Sequence, residues 1–302
     1  MQKIDTLVVG AMEVGQMPVS LKELQAFLPK DHVFLELWPQ IAGMAILHPL
    51  QALNIVERLD HVLQQQQSGD VIECGIYQGV TSILMAKLMD IRQSDKKLFL
   101  FDSFQGLPEP DRHVDASLRF QKAAWTASRK EVEALLAKYN VLQRCVIFEG
   151  WFSETLPQLN DDQQFCFAYI DADLYSSTVD CLKHIWKRMS QNSVAVFDDY
   201  HHPSGGVRKA LDEWVCETGE LIHVGPASQC FVIHGIRAGN AYFESFLLQT
   251  ENHKEISISF DYLRSNKLFC ALVNRKLMNL RAFEAHLTEF AGLLGTKGGK
   301  VN

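Results

Sequence analysis

Two stretches of the 302-residue chain end in crowded acids, Ala168-Tyr169-Ile170-Asp171-Ala172-Asp173 and Val196-Phe197-Asp198-Asp199-Tyr200. Each closes a β-rich apolar run, so four carboxylates are expected at the tips of two neighbouring strands. Like charges held close raise one another's pKa values, and a bound cation removes that cost. A site offering only carboxylate oxygens favours a hard ion, Mg²⁺, Mn²⁺ or Ca²⁺, over zinc. One Asp in each stretch, Asp173 or Asp199, suits a helix N-cap, but four acids exceed what capping needs. Coordination lowers the pKa of a bound oxygen, which turns an alcohol into a nucleophile. A base must then take the proton. Asp173 is the first choice, with His201 and His202 as alternatives because histidine titrates near neutrality. Leu174 stands three residues after Asp171, so no lysine is available there as the base.

A second group of residues suits a methyl donor. The segment Glu73-Cys74-Gly75-Ile76-Tyr77-Gln78-Gly79-Val80-Thr81-Ser82 follows another β-rich run. Gly75 and Gly79 allow a sharp turn and close approach to a ligand. Tyr77 and Gln78 occupy places that must stay small beside a pyrophosphate, so this is no dinucleotide fingerprint. A carboxylate at Glu73 suits the ammonium of S-adenosylmethionine, and Ser82 is counted with this loop. Asp102, followed by Ser103, ends a further strand and can accept hydrogen bonds from ribose hydroxyls. Gly150-Trp151-Phe152 ends another, where the aromatics can bracket an adenine or simply pack in the core.

The elements that must position these groups alternate in type. Short β-rich runs at 70–74, 97–101, 145–149, 165–170 and 193–197 are spaced by helical patterns, which indicates a parallel sheet covered on both faces. Val179, Leu182, Ile185, Trp186 and Met189 recur at helical steps, with Ser176, Ser177 or Thr178 available as N-cap. Val207, Ala210, Leu211, Trp214 and Val215 repeat the pattern after Gly205-Gly206. Two closing strands, 219–224 and 229–234, join through Gly225-Pro226 and give an antiparallel last strand. The expected fold is therefore α/β, a Rossmann-like class I methyltransferase sheet, mostly parallel, with helices on both faces. Residues 1–68 read as a helical N-terminal extension and cap, 69–236 as the cofactor-binding core, and 237–302 as a C-terminal extension. The last contains a strand-like piece at 255–260 and a glycine-rich end at 295–300. The long, polar, aperiodic stretch 106–127 has the character of a lid.

Composition excludes several classes. The chain is 47% hydrophobic and 22% charged, ordinary for a globular protein, with a net charge of -7 from 36 acidic and 29 basic residues. That balance gives a nucleic-acid binder no support. Seven scattered cysteines with no C-x-x-C pair indicate neither a disulfide framework nor a thiolate zinc site, and point to a reducing, cytoplasmic setting. No apolar run reaches the ~18 residues of a membrane span, and the first residues lack the pattern of a signal peptide.

With these motifs in place the chain resembles the macrocin O-methyltransferase (TylF-type) family, whose members methylate sugar hydroxyls of macrolide and aminocoumarin antibiotics. The matching segments are VIECGIYQGVTS at 71–82, FDSFQGLPEPD at 101–111, FEGWFSETLP at 148–157, YIDADLYSST at 169–178 and FDDYHHPSGGVRKAL at 197–211. The resemblance implies that Asp171, Asp198 and Asp199 hold Mg²⁺ (or Mn²⁺) and that Asp173 is the general base, with His201 the other catalytic candidate. It implies cofactor contacts from Glu73, Gly75, Asp102 and the Gly150-Trp151 turn, to which Gly79, Ser82, Ser103 and Asp171 are added from their positions in the same loops. It further implies a homodimer or higher homo-oligomer and a small-molecule hydroxyl acceptor, a sugar or natural-product intermediate, with neither nucleic acid nor membrane as partner. The rival readings are a metal-dependent α/β hydrolase and an inactive methyltransferase-like binding protein; an NAD-dependent dehydrogenase fits the first glycine loop poorly.

Overall fold

The computed structural model describes residues 28–116, 120–202 and 205–237, together with Leu24. The expectations for 255–260 and 295–300 lie outside the described residues, as does Cys270. Helices α1 (Val33–Ile41) and α2 (Pro49–Gln64) precede strand β1 (Asp70–Cys74). Then come α3 (Val80–Ile91), β2 (Leu98–Asp102), α4 (Arg129–Lys138), β3 (Cys145–Glu149) and the short α5 (Phe152–Thr155). The chain continues through β4 (Phe165–Ile170), α6 (Tyr175–Ile185), β5 (Met189–Phe197), α7 (Gly206–Thr218), β6 (Glu220–Val224) and β7 (Cys230–Arg237).

The strands form one seven-stranded sheet in the order β3-β2-β1-β4-β5-β7-β6. The first five run parallel, and β7 inserts antiparallel between β5 and β6. This is the expected Rossmann-like arrangement. Successive side chains of a strand point to opposite faces, and the core divides accordingly. Val71, Phe167, Tyr169, Val194 and Val196 pack with α1 to α4. Ile72, Cys74, Ala168, Ile170, Ala195 and Phe197 pack with α6 and α7. Every residue of β4 is buried, as a central strand covered on both faces must be.

Strand order reverses between β1 and β4, and ligands of such sheets bind outside the strand tips at that switch point. Backbone bonds continue past the strands and hold the tips together. Gly75 N–H donates to Phe101 O at 2.9 Å, Asp171 N–H to Cys74 O at 2.8 Å, and Asp198 N–H to Ile170 O at 2.9 Å. Among the described residues no helix is long and apolar enough to cross a membrane, and no disulfide is formed.

Two local features differ from expectation. Helix α6 begins at Tyr175, so Ser176, Ser177 and Thr178 lie inside it and none is its N-cap. The cap is Leu174, and the orphan Tyr175 N–H is met instead by Asp115 of the long loop, at 2.9 Å. Asp173 and Asp199 cap no helix either: α7 starts from Gly205.

Candidate active site

A cavity of about 930 Å³ opens at the strand tips of β1 to β5. Its shape at the bottom depends on Gly75, at φ +84°, where a Cβ would fall 1.9 Å from the Asp171 carbonyl oxygen. Only a residue without a side chain lets the β1 and β4 tips approach this closely.

One half of the cavity is lined by Gly75, Tyr77, Asp102, Ser103, Gly150 and Trp151. Asp102 Oδ2 accepts from the Ile76 and Tyr77 backbone N–H groups at 2.9 and 3.1 Å, and Oδ1 from Phe104 N–H at 2.7 Å. Burial pushes this carboxyl up, and the three N–H groups oppose that. Two carboxylate oxygens offer about four acceptor positions, so these contacts leave one, on Oδ1. Trp151 and Phe152 both line the cavity, and Phe152 also packs against the core. Three residues of the expected cofactor set lie outside the lining. Gly79 is the left-handed N-cap of α3. Glu73 is wholly buried on the α3 side of β1 and accepts a hydrogen bond from the buried Ser82 hydroxyl. Burial pushes the Glu73 carboxyl up to about 8, so it is a neutral acid rather than a carboxylate at neutral pH.

In the other half the acids gather. Oxygen atoms of Asp171, Asp173 and Asp199 lie within 4.8 Å of one another. Asp173 and Asp199 reach this position from left-handed backbone, φ +58° and +55°, a conformation Asp tolerates better than most residues. Asp171 is pushed well above the usual carboxylate range, first by burial and then by the charges of Asp198, Asp173 and Asp199. Oxygen-only donors under mutual repulsion fit a hard divalent ion.

Asp198, 6% exposed, is not part of that trio and is tied down from behind. Its Oδ1 accepts from Ser228 Oγ at 2.6 Å, Gln51 Nε2 at 2.9 Å and Asp199 N–H at 2.9 Å. Its Oδ2 accepts from the Tyr169 hydroxyl at 2.8 Å. Burial and the neighbouring acids hold the Tyr169 phenol neutral, so it stays a donor. His201, 4% exposed, faces the cavity with no partner on either ring nitrogen among the described residues. Burial holds its pKa down, at about 4. The His202 ring lies 4.8 Å from Phe120 of the long loop.

Several lining residues carry no signal in the sequence. Ile46, Leu47, His48 and Pro49 form a wall from the α1–α2 connection. Gln51 shows up in sequence only as the N3 residue of a capping box, whose acceptor accounts for half its side chain. The loop 106–127, which has no helix or strand among its described residues, closes the opposite side. Leu107 and Phe120 pack on Leu174, and Trp125 meets Tyr77 edge-on at 5.8 Å.

The doubly wound sheet with its antiparallel last strand is the Rossmann-like fold of the class I methyltransferases. The family model described as macrocin-O-methyltransferase (TylF) matches residues 20–220, and the chain belongs to that family. Among its relatives, an 8-demethyl-8-(2,3-dimethoxy-alpha-L-rhamnosyl)-tetracenomycin-C 4'-O-methyltransferase of Streptomyces olivaceus is 30% identical over 174 residues, 54% of this chain and 64% of that one. A demethyldecarbamoylnovobiocin O-methyltransferase of Streptomyces niveus is 31% identical over 158 residues, 49% and 58% of the two chains. The chain thus spans about six-tenths of the length of these relatives. The solved O-methyltransferase NovP superposes with a TM-score of 0.58 at 24% identity, covering 63% of this chain and 81% of NovP. CalS11, a calicheamicin methyltransferase, gives 0.53 at 18% identity, covering 73% and 100%. At these identities the two structures speak for the fold.

Proposed function

We propose that the protein transfers a methyl group from S-adenosylmethionine to a hydroxyl of a small molecule, a sugar or natural-product intermediate, with a divalent ion, Mg²⁺ or Mn²⁺, at the acidic tips. The observation that carries this reading is the convergence of Asp171, Asp173 and Asp199 in the same cavity as Asp102 and the Gly150-Trp151 turn. When bound, the donor supplies an electrophilic methyl group and the ion lowers the pKa of the acceptor hydroxyl.

The chain's own residues do the rest. Asp171 and Asp199 would hold the ion, with Asp198, the third carboxylate that the family resemblance implies, kept in place beside them by its ring of donors. Asp173 faces the acceptor and takes its proton, with His201 the second candidate. The free acceptor position on Asp102 Oδ1 receives a ribose hydroxyl. Tyr77, Trp125 and Phe120 keep water from the reacting groups. Holding two reactants in line contributes up to roughly 7–11 kcal/mol of barrier reduction. A hydrolase would give Asp102 and the Gly150-Trp151 turn no task. The scattered cysteines, with no disulfide among the described residues, support a cytoplasmic setting, and the family resemblance a homo-oligomer.

Titration calorimetry with S-adenosylmethionine, with and without Mg²⁺, followed by a turnover screen of hydroxyl compounds, tests the reading. Asp198→Ala is expected to lose nearly all turnover while binding the methyl donor normally. Unchanged turnover in that variant would remove the ion from the mechanism.

A further inference from the structure

Helix α2 lies outside the sheet, yet its first turn touches the tip of β5. The Gln51 side-chain nitrogen stands 2.9 Å from Asp198 Oδ1, 3.2 Å from Oδ2 and 2.9 Å from Ser228 Oγ. Its two N–H groups therefore serve the carboxylate and the serine, and the serine hydroxyl donates onward to the same carboxylate at 2.6 Å. The Gln51 oxygen accepts from the His48 backbone N–H at 2.7 Å. That cap fixes the plane of the amide, and with it the direction in which the nitrogen points. Three residues on, and so on the same helix face, the buried Asn54 donates to Gln229 Oε1 at 2.9 Å. The Gln229 nitrogen in turn lies 3.5 Å from Asp198 Oδ2. Two amides of one helix thus lock onto the β5 tip and the β6–β7 turn.

We propose that Gln51 is a positioning residue for the cation site: by fixing the Asp198 carboxylate as an oriented anion it makes ion affinity depend on the docking of α2. This rests on the divalent-ion reading above. Partners that orient a metal-binding carboxylate contribute to affinity without touching the ion, and their loss weakens binding by about 10–100-fold.

The test uses the full chain and Mn²⁺ alone as probe, with free Mn²⁺ followed by electron paramagnetic resonance in the absence of any acceptor. Gln51→Met keeps the length of the side chain and removes its donors. It is expected to weaken Mn²⁺ binding about 10–100-fold with S-adenosylmethionine binding unchanged, a split that a merely structural role would not produce. Gln51→Asn stays polar in a helix first turn and shortens the arm by one methylene. It is expected to shift affinity in the same direction and serves if the Met variant does not fold. Equal Mn²⁺ affinity in wild type and a folded variant overturns the role of Gln51 and leaves the ion reading standing. No Mn²⁺ binding by wild type, even with S-adenosylmethionine present, overturns both.

Discussion

Asp171 and Asp173 are two positions apart and share one acidic cluster, but the proposed chemistry asks different things of them. A ligand must bind the ion; a base must only be present when the proton leaves. Asp171→Asn is therefore expected to lose Mn²⁺ affinity by roughly 100-fold or more, with turnover falling alongside. Asp173→Asn is expected to keep Mn²⁺ affinity within a few-fold and lose about 10²–10⁴ in kcat. Paired Mn²⁺ titrations and kinetics on the two variants check this, and interchange of the two outcomes would exchange the roles. Glu73 gives a prediction in stability. The folded chain keeps its proton up to about pH 8, whereas the reference value for a glutamate is 4.5. Stability from this group is thus fully present below about pH 4.5, declines as pH rises toward 8, and levels off beyond. Glu73→Gln should flatten the pH dependence of Tm over that window and exceed wild type at its upper end. Each kcal/mol is read as about 2–4 °C in a scanning calorimeter. The strand-tip acids were legible because strand tips are where such sheets bind ligands. Glu73 was legible only in part: strand alternation puts it on the face of Val71, beneath α3, rather than in the cavity.

Among the elements, the long loop is the one whose ordering sequence alone hid. Its character as an aperiodic segment could be read, but not that Asp115, 1% exposed, ties it to two helices. The carboxylate accepts from Tyr175 N–H at the start of α6 and presses on Gly206 at the start of α7, where a Cβ would sit 1.9 Å from Oδ1. The serines at 176 and 177 looked like caps because nothing local tells a chain that a residue sixty positions earlier will do the work. Removing the side chain leaves a half-buried N–H without this partner, which costs up to about 1–3 kcal/mol. Asp115→Ala is thus expected to lower Tm by several degrees and to speed proteolytic cleavage within 106–127. Equal cleavage rates in variant and wild type would mean that the loop is held elsewhere. Strands β1 to β5 and helices α6 and α7, by contrast, followed from apolar runs and helical spacing. Ends moved by a few residues where pairing extended a strand, as at Met189, which pairs with Phe165.

At the scale of the whole molecule, acids gathered at one point repel one another and work against folding, and an ion that binds only the folded chain works for it. At 100 times its dissociation constant such an ion adds about 2.7 kcal/mol. Thermal unfolding is therefore expected to rise by several degrees with Mg²⁺ or Mn²⁺, to return with a chelator, and to show no such rise in Asp171→Asn. A wild-type Tm indifferent to both ions would contradict an ion site. The layering behind this was visible from sequence, since buried runs and amphipathic helices specify a covered sheet. The docking of α2 on the far side of β5 was not, because it rests on amides that look like ordinary helix surface.

Gly75 carries a longer-term consequence. The cavity floor at the β1 tip is bare peptide, and no side chain can be installed there without driving the tips apart. Recognition at that floor is written in main-chain shape, beyond the reach of ordinary codon change. Walls made of side chains, at 46–49 and at Leu107, Phe120 and Trp125, remain open to substitution. On the proposed function, a lineage built this way can exchange one acceptor for another while its methyl source stays fixed, and directed evolution for new acceptors should spend its libraries on the walls.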